Sequence, residues 1–178
     1  KSHFPENNED VRQITRRKKY QSYLELCLSF ESLRYYFDIT ERNVKLYDVL
    51  LIDDFIKKLP YDLTLDQKKA IDIMLSELKG NKIMNRLLQG DVGSGKSIVA
   101  LIIALANVSA GYQVVLMAPT EILALQHYNY FNNLLNDYKI HVKLLTGSTK
   151  ISEKNDILER VITNRINILI GTHALIQD

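Results

Sequence analysis

The stretch "LLQGDVGSGKS", Leu87 to Ser97, ends a glycine-rich turn in a lysine and a hydroxyl. Gly90, Gly95, Lys96 and Ser97 fall at the spacing G-x-x-x-x-G-K-[ST], a phosphate-binding P-loop. Each residue type has a physical reason to be there. A loop whose successive backbone N–H groups converge on one anion favours positions without a Cβ. A helix starting near Gly95 adds its unpaired N–H groups and its partial positive charge. Lys96 sets an ammonium between the β- and γ-phosphates of a nucleotide, and Ser97 offers its hydroxyl to Mg²⁺. The bland alternative is a strand-to-helix turn with a surface lysine; chance supplies the four positions in roughly one chain in a hundred of this length. A dinucleotide fingerprint does not fit, because Ile98 stands where the third glycine of G-x-G-x-x-G would fall.

Upstream, "LTLDQ" has two readings of equal weight. Thr64 and Gln67 form a capping box, T-x-x-Q, which is sufficient structural reason for both. Alternatively Gln67 hydrogen-bonds an adenine edge, and the two roles are compatible.

The elements that must hold these residues follow from pattern. Up to about Leu59 the chain has no glycine and few strand-like runs. A helix is expected through "VRQITRRKKYQSYLELCLSFESLRYYF", capped at Asn8, with Tyr20, Leu24, Cys27 and Leu28 on one side. A shorter helix runs through "KLYDVLLIDDFIKKL" before Pro60 stops it. From Tyr61 helices alternate with strands at Asn85–Gln89, Gln113–Ala118, His141–Leu145 and Asn167–Ile170, which implies parallel pairing and right-handed crossovers. "QVVLMA" and "INILIG" are continuous apolar runs, as in strands covered on both faces. Ala124, Tyr128, Phe131 and Leu135 form a core-facing stripe. "SIVALIIALA" is β-branched enough to pass for a strand, but its place after the glycine turn makes it a helix buried all round.

Bulk properties exclude several classes. With 23 basic and 21 acidic residues the net charge is +2, so no broad cationic field exists and a nucleic acid must be gripped locally. The basic run Arg16 to Lys19 reads first as a solvated helix face. The lone Cys27 cannot form an internal disulfide, fits a reducing compartment and reads as a buried small apolar residue. The longest apolar run, Ile98 to Ala106, is far short of the ~20 residues of a membrane span. The expectation is a cytoplasmic protein with no membrane association. His3, His127, His141 and His173 are scattered without ligand spacing.

"LPYDLTLDQKKAI", "MNRLLQGDVGSGKS", "APTEILALQHY", "LLTGS" and "ILIGTHALIQD" resemble, in order and spacing, successive segments of the bacterial RecG-type branched-DNA helicases. The resemblance is strong over Leu59 to Asp178 and weaker over His3 to Phe30. A transcription-repair coupling translocase shares "GDVG" and "GTH", but the remaining wording favours the RecG type. The resemblance implies a RecA-like three-layer α/β/α lobe with a parallel sheet over 60–178, incomplete at its C-terminus, preceded by a helical linker over 1–59. It implies ATP and Mg²⁺ as cofactors, with Leu63, Gln67, Gly90, Gly93, Ser94, Gly95, Lys96 and Ser97 at the nucleotide, Lys96 and Ser97 in catalysis, and Ser97 on the metal. Threonine is usual where Ser97 stands, and the hydroxyl is kept.

Thr120, Thr146, Gly147 and Thr172 are implied as contacts to a DNA backbone. From the residues alone, Pro119-Thr120 and Gly171-Thr172 each follow a strand, at the carboxyl ends where open α/β sheets bind ligands. Small hydroxyls and loop amides there can hold phosphate oxygens without reading bases. For each threonine alone, the competing reading is a helix N-cap.

Branched DNA is the implied partner of a monomeric bacterial enzyme. Hydrolysis also needs an acidic group to hold Mg²⁺. In the family this is a D-E-x-H segment beyond "GTHALIQD". With that segment, the second motor lobe and the DNA-reading wedge domain outside the sequence, the expectation is a fragment that binds ATP weakly and hydrolyses it slowly or not at all. The competing class, a nucleotide-binding kinase or switch for a small molecule, calls for a substrate pocket and lid that the sequence lacks.

Overall fold

A computed structural model describes residues 8–42, 44 and 46–176. The "HFP" segment, the capping role expected of Asn8 and the final Gln177 and Asp178 lie outside the described residues. The chain divides into two compact units. One takes the described residues up to 42 together with Asn81–Asn85, and the other takes Val44–Gly80 with the residues from Arg86 onward.

The smaller unit is built on α1 (Asn8–Ile39). Its Tyr20, Leu24 and Leu28 are exposed and Cys27 is only half-buried, so the cysteine is not the core residue expected of it. A helix buries an apolar side only where a second element covers it, and periodicity carries no information about that. After α1, Glu41 and Lys82 form an antiparallel bridge, and Arg42 donates its backbone N–H to the Asn81 carbonyl at 2.7 Å.

In the larger unit, α2 (Val49–Lys57) starts where Asp48 accepts from the Leu51 amide, and it buries Ile52 and Phe55. α3 (Leu65–Leu78) starts at Thr64, where the full capping box with Gln67 forms. Both pack on α4 (Lys96–Ser109). The "SIVALIIALA" stretch is indeed this helix, and Leu101, Ile102 and Leu105 are completely buried. The sheet of the described residues has the order β1 (Val114–Met117), β3 (Ile168–Gly171), β2 (Val142–Leu145), parallel throughout. α5 (Glu121–Leu135) lies over β2 and β3 and inserts Ala124, Phe131 and Leu135. α6 (Ile151–Ile162) packs on β2, where Ile157 joins Leu145, Ile166 and Leu169.

Two expectations are corrected. Residues 85–89 form no strand, because a strand exists only as one side of a ladder and none pairs with them among the described residues; Leu87 stands 89% exposed. Nor is β1 covered on both faces: Val115 and Met117 point outward, whereas every residue of β3 is buried. Val115 and Met117 share the face of Leu169, and α6 covers that face at β2 while leaving these two side chains exposed.

The register sets one close approach. A Cβ on Gly171 would run into the Leu145 carbonyl oxygen, which is backbone and cannot swing aside. Gly171→Ala is expected to destabilise the lobe by about 1–3 kcal/mol through overpacking, and Ile102→Ala by about 2–5 kcal/mol through a cavity. Urea denaturation followed by circular dichroism measures both.

Candidate functional site: a P-loop and the carboxyl edge of the sheet

The P-loop is shaped by two left-handed glycines. Gly93 (φ 81°) and Gly95 (φ 76°) adopt a conformation that a side chain disfavours. Gly95 is also the N-cap of α4, so the loop turns directly into the helix, where no side chain caps the first amides. A Cβ on Gly90 would sit 2.7 Å from the Ser94 hydroxyl, so the loop closes on itself there. Lys96 folds into this ring. Its ammonium donates to the Gly90 carbonyl at 2.8 Å and the Asp91 carbonyl at 2.6 Å, with the Ser94 hydroxyl at 3.4 Å. Ser97 follows, half-buried on the first turn of the helix.

Two contacts fix the loop to α3. Arg86, entering the loop, donates Nε to both carboxylate oxygens of Glu77 at 2.9 Å and Nη2 to one of them. The guanidinium holds the Glu77 carboxyl below the usual glutamate range. Gln67 forms the other contact. Its Oε1 accepts from the Thr64 amide at 2.9 Å in the capping box, while its Nε2 donates to the Ser94 carbonyl at 3.0 Å. Thus Gln67 caps α3 and touches the P-loop at once. Leu63 is buried, which leaves its side chain in the core and only its backbone available to a ligand.

The four residues expected to meet DNA come together by register. Met117 and Leu145 both pair with Gly171, so the loops carrying Thr120, Thr146-Gly147 and Thr172 leave the sheet at one level. Thr120 is the N-cap of α5, accepting from the Leu123 amide at 3.3 Å; this leaves its hydroxyl proton to donate elsewhere. Thr172 is half-buried ahead of a 3₁₀ turn and makes no side-chain cap. Thr146 is buried and its hydroxyl lies 2.9 Å from that of Ser148.

Glu121, which opens α5, reaches across 27 positions to this turn. Its carboxylate accepts from the Ser148 amide at 3.0 Å and from the Ser148 hydroxyl at 2.9 Å. Those bonds, the hydroxyl first, hold the Glu121 carboxyl below the usual glutamate range.

A scan against family models matches residues 64–178 to the DEAD/DEAH box helicases. The chain belongs to the DEAD/DEAH box helicase family. Within that family its likeness is to the RecG type. It is 54% identical over 123 residues to the ATP-dependent DNA helicase RecG of Aquifex aeolicus, covering 69% of this chain and 16% of that protein. The RecG of Thermotoga maritima is 40% identical over 99% of this chain and 23% of its own length. A solved structure of RecG bound to a three-way DNA junction superposes with a TM-score of 0.79 at 40% identity, covering 98% of this chain and 24% of that one. The parallel sheet with flanking helices is therefore the RecA-like helicase lobe, and this chain spans about a quarter or less of these relatives.

The contact to the turn after β2 joins two residues that the sequence did not single out, Glu121 and Ser148. An acidic residue at the start of a helix is already explained by the helix dipole, so Glu121 gave no separate signal. Because the folded carboxyl is shifted downward, its bonds to Ser148 are intact above the ordinary glutamate range and are lost as pH falls through the lowered folded value. An NMR titration is expected to place the Glu121 midpoint below that of an exposed glutamate, with protection of the Ser148 amide lost in step. A midpoint at the ordinary value contradicts the contact.

Proposed function

We propose that the protein carrying this chain is an ATP-driven DNA helicase and translocase that remodels branched DNA, forks and Holliday junctions, in recombination and repair. The observation that carries this reading is the RecG likeness, at 40% identity over 99% of the chain, joined to a P-loop and a sheet edge built from the matching segments. In this reading residues 60–178 are the first motor lobe and 1–59 a helical linker, although α2 packs on α4 with the lobe. A second motor lobe and a wedge domain belong to the same monomeric bacterial cytoplasmic protein. No helix among the described residues is long and apolar enough to cross a membrane.

The residues present fit a nucleotide with its cation. The loop of Gly90, Gly93, Ser94 and Gly95 runs into the start of a 14-residue helix, the Ser94 amide is held by the Asp91 carbonyl, and the ammonium of Lys96 already lies against the loop. Lys96 holds the phosphate tail, Ser97 turns its hydroxyl to Mg²⁺, and Gln67 faces the adenine beside Leu63. ATP with Mg²⁺ supplies the phosphoryl chemistry that drives movement. Thr120, Gly147 and Thr172 hold a DNA backbone at the sheet edge, with Thr146 supporting them from within its turn. None of these four is charged, so the lobe grips phosphate without a cationic field.

In the full-length protein, Lys96→Ala is expected to lower phosphate release by about a hundredfold or more without changing the circular dichroism of the lobe. Activity that survives this substitution overturns the site assignment. Forked DNA is expected to stimulate phosphate release; no stimulation overturns the motor reading. The lobe's DNA affinity is expected to fall only shallowly with salt, and a steep slope instead assigns the grip to Arg16, Arg17, Lys18 and Lys19.

A further inference from the structure

The turn after β2 contains a closed chain of donors that ends on an anion from the protein itself. Ser148 donates its only hydroxyl proton to Glu121 Oε2 at 2.9 Å. The hydroxyl pair between Thr146 and Ser148, 2.9 Å apart, must then run from Thr146 to Ser148. Thr146 therefore has no proton left for an outside phosphate while the turn stands. The same turn is closed on its other side, where the Thr146 amide donates to the Thr149 hydroxyl at 3.0 Å and the Thr149 amide to the Thr146 carbonyl at 3.1 Å. Glu121 Oε1 also takes the Ser148 amide at 3.0 Å, and a Cβ on Gly147 would lie only 3.3 Å from it.

We propose that Glu121 is a positioning residue of the DNA-facing edge: its carboxylate, rather than a DNA phosphate, terminates the Thr146–Ser148 donor chain and locks the turn after β2 to the start of α5. The lock joins two of the three loops at the sheet's carboxyl edge. Thr120 caps α5 one residue before Glu121, so the helix start that carries its hydroxyl is the one pinned to Ser148. Charge-assisted hydrogen bonds are the strong ones, which suits a carboxylate for holding a loop that must present amides in one arrangement. The inference rests on the reading of this edge as the DNA-backbone contact.

The test uses the full-length protein and forked DNA, with phosphate release followed against DNA concentration. Glu121→Ala is expected to raise the DNA concentration for half-maximal stimulation about tenfold, with a much smaller change in kcat at saturating DNA, the loss of one charge-assisted bond network. Glu121→Gln, which keeps one acceptor oxygen but no charge, is expected to recover only part of that loss. Ser148→Ala breaks the chain from its other end but keeps the Ser148 amide on Glu121; it is expected to raise the half-maximal DNA concentration by less than Glu121→Ala, and the double variant to be no worse than Glu121→Ala alone. Tighter DNA binding by Glu121→Ala overturns the proposal, because the carboxylate is then a competitor for the donors. So does an additive double variant, or an unchanged DNA dependence. If Thr120→Ala and Thr172→Ala also leave the DNA dependence unchanged, the edge itself is misassigned; if they raise it while Glu121→Ala does not, only the positioning role fails.

Discussion

Parallel pairing of β1 and β2 to the two sides of β3 sets Met117, Leu145 and Gly171 level with one another, and the loops beyond each strand depend on that alignment. Side chains alone cannot arrange it. Thr120, Gly147 and Thr172 are far apart in sequence, and only the shared register brings their loops to one edge. The burial of β3 supplies the driving force, because an apolar strand covered on both faces fixes its neighbours wherever they pair. Gly171 marks how tightly the alignment is set, since its backbone lies against the Leu145 carbonyl with no room for a methyl group.

The P-loop obeys a different constraint, set by dihedral angles rather than burial. Gly93 and Gly95 take up backbone angles that permit the reversal, and the helix that follows is among the most apolar segments of the chain. A loop of polar backbone is thus anchored at the end of a buried rod. Arg86 with Glu77, and Gln67 with Ser94, add lateral ties to α3. Arg86 and Ser94 are exposed and Glu77 and Gln67 only half-buried, so these ties contribute orientation more than stability.

Much of this was legible in the sequence, and the remainder was not for physical reasons. Helix starts carried chemical signatures: the Thr64–Gln67 box appears as expected, and of the stripe Ala124, Tyr128, Phe131 and Leu135 all but the half-buried Tyr128 reach the core. The glycine spacing was as plain in the residues as in the backbone. Strand status at 85–89 was misread because pairing is a tertiary event, and two adjacent leucines do not specify a partner. The outward Val115 and Met117 show the same limit, for an apolar run reports what a strand can bury and not what covers it. Cys27 was misplaced for that reason too. The Glu121–Ser148 lock joins residues whose local roles were each already accounted for, so nothing in their spacing announced a bond between them.

The side-chain amide of Gln67 has one oxygen and one nitrogen, and both are already committed, one to the beginning of α3 and one to the Ser94 carbonyl. A single proton and a single lone pair remain spare on that amide. Any third partner that needs both of its committed atoms would have to displace the helix start or the loop. Gln67 therefore works like a clasp, tying the beginning of α3 to the backbone at Ser94, two residues from the lysine.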